Sequence, residues 1–255
     1  MPGDDLSSGG DRDRCNDAGW ITRLGLGAVN DETGQGVSDP AVYEAWYHHS
    51  RGRWMGDIEF KLLYDMLQPR IGASLLDVGC GTGHFSRRFA HAGLRVTGID
   101  PDRDALRFAV QQGGGVTYCR GSALNLPYAD RTFDYCGAVT SLCFVADPRR
   151  AIAEMLRVSR CALILGLLNR HSLLYYAKHG RGGYRGARWD REGDVHRWLA
   201  GLGWSMSVRI RTAVFFPGGT PPARVVERLL PHRLPWGGFL AVCAVVHTGP
   251  EGTRG

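Results

Sequence analysis

The chain has 255 residues, 44% of them hydrophobic and 22% charged, with a net charge of +6. That length suits one large domain with a substantial core, and the composition is that of an ordinary soluble globular protein. No apolar run approaches the ~20 residues of a membrane span, no apolar secretory stretch opens the chain, and the seven cysteines contain no C-x-x-C pair, which argues against a disulfide framework or a structural zinc site.

A cytoplasmic protein is expected. Among the basic residues only Lys61 and Lys178 are lysine. No Lys/Arg block or uniformly basic helix stands out, so nucleic acid is not the expected partner.

Residues 1–38 are rich in Gly, Asp, Ser and Asn and are expected to be largely disordered. A single domain is expected over 39–255. It begins with a helix, for which Asp39 is the N-cap and Pro40 the first residue. A second helix is expected over Gly56–Leu67, where Ile58, Leu62, Leu63 and Leu67 recur at helical spacing. Together they make a helical lid over about 39–69.

A strict alternation follows. "ASLLDVG" reads as a strand, "HFSRRFAHAG" as a helix stopped at Gly93, and "RVTGID" as a second strand. "DRDALRFAVQQ" is a helix, "VTYCRG" a third strand and "FDYCGAVTSL" a fourth. "PRRAIAEMLRVS" is a helix and "CALILGLL" a fifth strand. After a glycine-rich basic segment at about 169–190, read as a flap, come the helix "DREGDVHRWLAGLG", the strand "WSMSVRIRTAVFF", a helix near "PARVVERLL" and the strand "GFLAVCAVVH". Strands alternating with helices of this length imply an α/β fold: a Rossmann-like, seven-stranded, mostly parallel sheet flanked by helices, with the last strand antiparallel at one edge.

The stretch "LLDVGCGTGHFS" places Gly79, Gly81 and Gly83 between the first strand and its helix. Open α/β sheets bind ligands at the carboxyl ends of strands, near the point where strand order reverses. Glycines there let a ligand approach the backbone. A dinucleotide loop would read G-x-G-x-x-G around a pyrophosphate; here His84 stands at the last position. Asp77, two residues before the first glycine, would repel a pyrophosphate and suit a cationic ligand carrying an amino group. Asp100 ends the second strand, where an acid can accept both hydroxyls of a ribose.

"LLDVGCGTGHFS", "VTGIDPD", "RGSALNLPYADRTFD" and "DPRRAIAEMLRV" follow one another as in class I S-adenosylmethionine-dependent methyltransferases. The chain resembles the subgroup holding small-molecule and quinone-biosynthesis methyltransferases, over about residues 70–170. The resemblance implies S-adenosylmethionine as cosubstrate and no metal. It implies that Asp77, Gly79, Cys80, Gly81 and Gly83 line its methionine part and that Asp100 holds the ribose. Pro101 or Asp102 would flank the adenine, Ser122, Ala123 and Leu124 would face it, and Thr140 and Ser141 would border the sulfonium. Where the family often has Gly-Asp-Ala this chain has Gly-Ser-Ala, which puts a Ser122 side-chain bond to adenine in doubt.

The expected acceptor is a small organic molecule, methylated by in-line displacement. Basic residues of the flap, Arg181, Arg185 and Arg188 among them, would suit an anionic group. His171, His48 and Tyr43 are the candidate catalytic groups. Two alternatives stay open: an RNA methyltransferase using the flap, and an S-adenosylmethionine-binding protein without catalysis. The acceptor atom and the oligomeric state are not readable.

Overall fold

The computed structural model describes residues 39–248, with no description of the Thr248 side chain. The disorder expected of residues 1–38 lies outside the described residues. Helices α1 (Pro40–His48) and α2 (Ser50–Leu67) come first. Then follow β1 (Ser74–Val78), α3 (His84–His91), β2 (Arg95–Asp100), α4 (Arg103–Gln111), β3 (Thr117–Arg120) and β4 (Phe133–Val139). The second half holds α5 (Pro148–Val158), β5 (Ser159–Leu168), α6 (Leu173–Lys178), α7 (Glu192–Ala200), β6 (Ser205–Ala213), α8 (Pro221–Leu229) and β7 (Phe239–Thr248).

The sheet order is β3-β2-β1-β4-β5-β7-β6. Strands β1 to β5 pair in parallel, and β7 runs antiparallel to both β5 and β6. The antiparallel strand therefore lies one place in from the edge. The chain runs outward from β1 to β3 and then returns to lay β4 on the other side of β1. The carboxyl ends of β1 and β4 thus form the crevice where α/β sheets bind ligands.

Alternation along the strands divides the core in two. Leu75, Tyr135 and Ile164 face a layer built by α2 and α3. Their neighbours Leu76, Cys136, Leu163 and Leu165 face α5 and α7. Both faces are apolar, as a sheet covered on both sides requires.

Two expectations need correction. Helix α2 starts at Ser50, not Gly56. Two helical glycines hide the periodicity, and both are needed for close packing: a Cβ at Gly52 would collide with the Trp46 carbonyl, and one at Gly56 would press on the Tyr47 ring. The segment at 169–190 is also not a plain loop. It carries α6, capped by the Ser172 hydroxyl accepting from the Tyr175 amide at 3.1 Å, and a 3₁₀ turn at Gly182–Tyr184. The flanking glycines mask this short helix in the sequence.

Candidate functional site

The loop after β1 is held by backbone hydrogen bonds and turns through glycines in the left-handed region. The amides of Gly79 and Cys80 donate to the Ile99 carbonyl at 2.7 and 3.2 Å. Gly79 and Gly83 have φ of 71° and 77°. A Cβ at Gly79 would collide with Ser141, and one at Gly83 with the Tyr118 hydroxyl. A Cβ at Gly81 would meet nothing within 4 Å. Gly81 is therefore the point where the loop backbone lies open to a ligand.

Two carboxyls sit under this loop. Asp77 is buried and accepts from the Ser86 hydroxyl at 2.5 Å. Burial pushes its pKa up to about 6; the Ser86 bond opposes the shift and the nearby Asp100 charge adds to it. Asp100, also buried, accepts from the amides of Gly81 and Asp102, each at 2.8 Å. Burial raises its pKa against those two bonds. Two crowded, desolvated carboxyls favour a cation beside them. Cys80 is partly buried in the same loop, and burial first, then the charge of Asp77, pushes its thiol far up; it stays a thiol.

On the far side of β2, the Pro101 carbonyl accepts from Arg120 Nε at 3.1 Å. The Ser122 hydroxyl accepts from the Leu124 amide at 3.2 Å, so it serves its own turn. Ala123 and Leu124 are half-buried against the α5 side of the core. After β4, Thr140 holds a left-handed backbone, φ 50°, fixed by its amide donating to Gly166 at 2.7 Å. The Ser141 hydroxyl donates to the Val78 carbonyl at 2.7 Å, pinning the ends of β1 and β4 together.

Helix α1 is tied to the glycine loop by Glu44. This buried carboxylate accepts from Thr82 Oγ1 at 2.6 Å and from Arg87 Nη2 at 2.6 Å, with His84 Nδ1 at 3.3 Å. Burial alone would raise its pKa; bonds from His84 and Thr82 and the Arg87 charge outweigh burial and hold it below the ordinary range. The Tyr47 ring stacks on His84 at 3.6 Å and 13°. Thus His84, where dinucleotide loops carry glycine, is a platform for α1.

The three candidate catalytic groups part company. Tyr43 lies beside the crevice: its hydroxyl is 3.2 Å from that of Tyr47, and Thr140 is near enough to act on its pKa against the rise that burial imposes. With 41% of its surface exposed, its ring is available to a ligand. His48 is exposed at the end of α1. His171 is exposed and lines a cavity with Asn169, Arg191, Asp194 and Arg197, on the α7 side; none of the glycine-loop residues lines that cavity. The chain turns there because Asn169 Oδ1 accepts from the His171 amide at 3.0 Å. Being at the end of β5 does not bring His171 to the β1/β4 crevice.

Arg188 is likewise not a free cation. It donates to the carbonyls of Val145 and Leu142, both at 2.9 Å, and pairs with Asp190 at 2.6 Å. It locks the 169–190 segment to the loop after β4. Arg181 and Arg185 are exposed. Sequence reasoning missed Glu44 and Glu59. Both carry a readable signal, a charge placed on the buried face of an amphipathic helix. Glu59 shares its face of α2 with Met55, Leu62, Leu63 and Met66. Among the described residues no group of three His, Cys, Asp or Glu could hold a metal ion, and no helix is long and apolar enough to cross a membrane.

Residues 76–161, from within β1 to the start of β5, match the family model described as a methyltransferase domain. That stretch resembles a methyltransferase domain, and S-adenosylmethionine-dependent methyltransferases are among the structures this chain is similar to. An uncharacterized protein of Mycobacterium tuberculosis is 34% identical over 191 residues, 71% of this chain and 63% of that protein. The chain thus spans under two thirds of that relative's length. A malonyl-[acyl-carrier protein] O-methyltransferase of Pectobacterium atrosepticum is 36% identical over 98 residues, covering 38% of this chain and 39% of that one. Among solved structures, an S-adenosylmethionine-dependent methyltransferase of Thermotoga maritima, described as a possible histamine N-methyltransferase, matches with TM-score 0.66 and 25% identity over 80% of this chain and 94% of that one. The family match takes in the glycine loop and the strands from β1 to the start of β5. The segments around α1, α2 and α6 lie outside the family match.

Proposed function

We propose that this protein transfers the methyl group of S-adenosylmethionine to a small organic acceptor. The observation that carries the reading is the glycine loop at the β1/β4 crevice, open at Gly81, over two buried carboxyls that favour a cation. When bound, S-adenosylmethionine supplies an electrophilic methyl on a sulfonium. Asp77 and the loop of Gly79, Cys80, Gly81 and Gly83 hold the methionine end, with Asp77 facing its ammonium. Asp100, already bracketed by two amides, uses its remaining lone pairs on the ribose hydroxyls. Pro101, Asp102, Ala123 and Leu124 flank the adenine, Ser122 by its backbone because its hydroxyl is engaged. Thr140 and Ser141 border the sulfonium, and Tyr43 orients the acceptor from the α1 side.

Helices α1 and α2 act as a lid, and the 169–190 segment closes the acceptor side opposite them. Most of the rate then comes from alignment of two reactants. The named relatives act on an oxygen in one case and are assigned a nitrogen in another, so the fold serves both acceptor atoms. Calorimetry with S-adenosylhomocysteine and with NAD tests the reading. Binding of the first and not the second is expected; the reverse result overturns it.

A further inference from the structure

Helix α8 is turned the opposite way from an ordinary surface helix. Such helices lay an apolar stripe on the core and show charges to water. In α8 it is the acid that points inward. Glu227 is buried, and its carboxylate accepts from the amides of Val214 and Phe215 at 2.6 and 2.8 Å. Arg224 holds the helix from its flank, donating to the Ser50 hydroxyl at 2.9 Å and the Ser50 carbonyl at 3.2 Å, at the start of α2. These bonds fix the rotation of α8. Val225, Val226 and Leu229, neighbours on one helical face, are left on the solvent side; Leu229 is 78% exposed and Val225 57%.

Two more exposed apolar side chains hang on the same stretch. Phe216 follows directly on the residue whose amide Glu227 holds. After α8 the chain returns beside the end of β6, where the Thr212 amide donates to the His232 carbonyl at 2.8 Å and the Gly238 amide to the Val214 carbonyl at 2.9 Å. That return carries Trp236, 59% exposed. The exposed charges here have one sign. Arg228 and Arg233 are exposed, and no described residue pairs with either side chain. Glu227 is the only acid between residues 214 and 238, and it is already engaged.

We propose that this face, formed by α8 with Phe216 and Trp236, is a docking surface for an anionic phospholipid bilayer, on which α8 lies flat. A helix of nine residues is about 14 Å long at ~1.5 Å per residue. It cannot cross a hydrocarbon layer of ~30 Å, but it can sink one apolar face to the boundary between headgroups and acyl chains. Leu229 and the two valines enter that boundary. The Trp236 indole suits the headgroup level, where one end of the ring is apolar and the other wet. Arg228 and Arg233 meet the lipid phosphates. A second copy of this chain complements the face less well, because the same segment on both sides would bring arginines together with no exposed acid to meet them. None of the glycine-loop residues takes part.

The test sediments the full chain with vesicles of phosphatidylcholine alone and of phosphatidylcholine mixed with phosphatidylglycerol. Binding to the mixed vesicles is expected, weakening as salt is added. Val225→Ser together with Leu229→Ser should weaken it by about tenfold or more, since two apolar side chains no longer leave water. Arg228→Gln together with Arg233→Gln should weaken binding to the mixed vesicles by roughly tenfold and leave binding to phosphatidylcholine alone unchanged. Both double variants should keep the wild-type Tm, because all four side chains are exposed. A basic protein held by charge alone would show the second loss without the first, and that result overturns the proposal. So does failure of the wild-type chain to bind the mixed vesicles. So does self-association in sedimentation velocity that Val225→Ser with Leu229→Ser abolishes, which would give the face to a second copy. A chain that docks on vesicles yet fails to bind S-adenosylhomocysteine would keep this surface and lose the methyltransferase reading.

Discussion

Glu44→Ala removes the carboxylate that fastens α1 to the glycine loop. Glu44 is 5% exposed, and the Arg87 side chain that it faces is 12% exposed. The variant leaves Arg87 with only its bond to the Thr82 carbonyl, at 2.7 Å, and leaves the Thr82 hydroxyl unpartnered. Breaking one side of a buried pair costs ~3–5 kcal/mol, since the remaining charge stays buried. In a domain of this size that lowers Tm by roughly 10 °C.

The sign with pH follows from the lowered Glu44 pKa. Its stabilisation is full above the ordinary glutamate range and is lost as pH falls through its depressed folded value. The gap between wild type and variant should therefore be widest at neutral pH and shrink below about pH 4. Urea denaturation at several pH values reads this, and a double-mutant cycle with Arg87→Ala isolates the pair. A loss under about 1 kcal/mol, or no coupling in the cycle, would refute the idea that this pair holds the helix.

Asp77 behaves oppositely: with its pKa raised to about 6, its burial costs about 3 kcal/mol once it ionises, so stability should fall as pH climbs from about 4 through 6. Asp77→Asn should flatten that profile in thermal melts and weaken S-adenosylmethionine binding. Asp100→Ala should weaken cofactor binding by ~1.5–3 kcal/mol, the range for hydrogen bonds to a charged group; unchanged affinity by calorimetry would move the ribose elsewhere. Gly83→Ala places a methyl against the Tyr118 hydroxyl at φ 77° and should cost at least ~1 kcal/mol of stability, read by urea midpoint. His171→Ala should leave turnover within threefold once an acceptor is in hand; a tenfold loss would bring His171 back into the mechanism.

Much of this was legible before any coordinates. The alternation of strand and helix, Pro40 and Pro148 opening helices, and the acids at Asp77 and Asp100 are local signals. They mark the glycine loop and the crevice between β1 and β4. The side built by α1, α2 and residues 169–190 was less legible because long-range packing builds it. Gly52 and Gly56 weaken the helical pattern of α2, and only their contacts with Trp46 and Tyr47 explain them. Arg188 looks like a surface cation until Leu142 and Val145 turn their carbonyls toward it. His171 follows a strand end, as a catalytic residue would, but the Asn169 turn carries it to α7.

The place of β7 has a consequence for how the molecule is made. It is the last of the seven described strands to be synthesised, yet it pairs with β5 from Ala162 to Leu168 on one side and with β6 on the other. Until it arrives, β5 presents an open edge of Leu163, Ile164, Leu165 and Leu167, and β6 has no strand to join. Residues 169–238 must emerge first, which at ~5–20 residues per second takes on the order of ten seconds. During that interval the nascent chain holds strands β1 to β4 beside an unpaired apolar strand, the kind of edge that recruits other strands. Chaperone demand during synthesis should therefore peak late, and a ribosome stalled before Phe239 would hold the most aggregation-prone form of this chain.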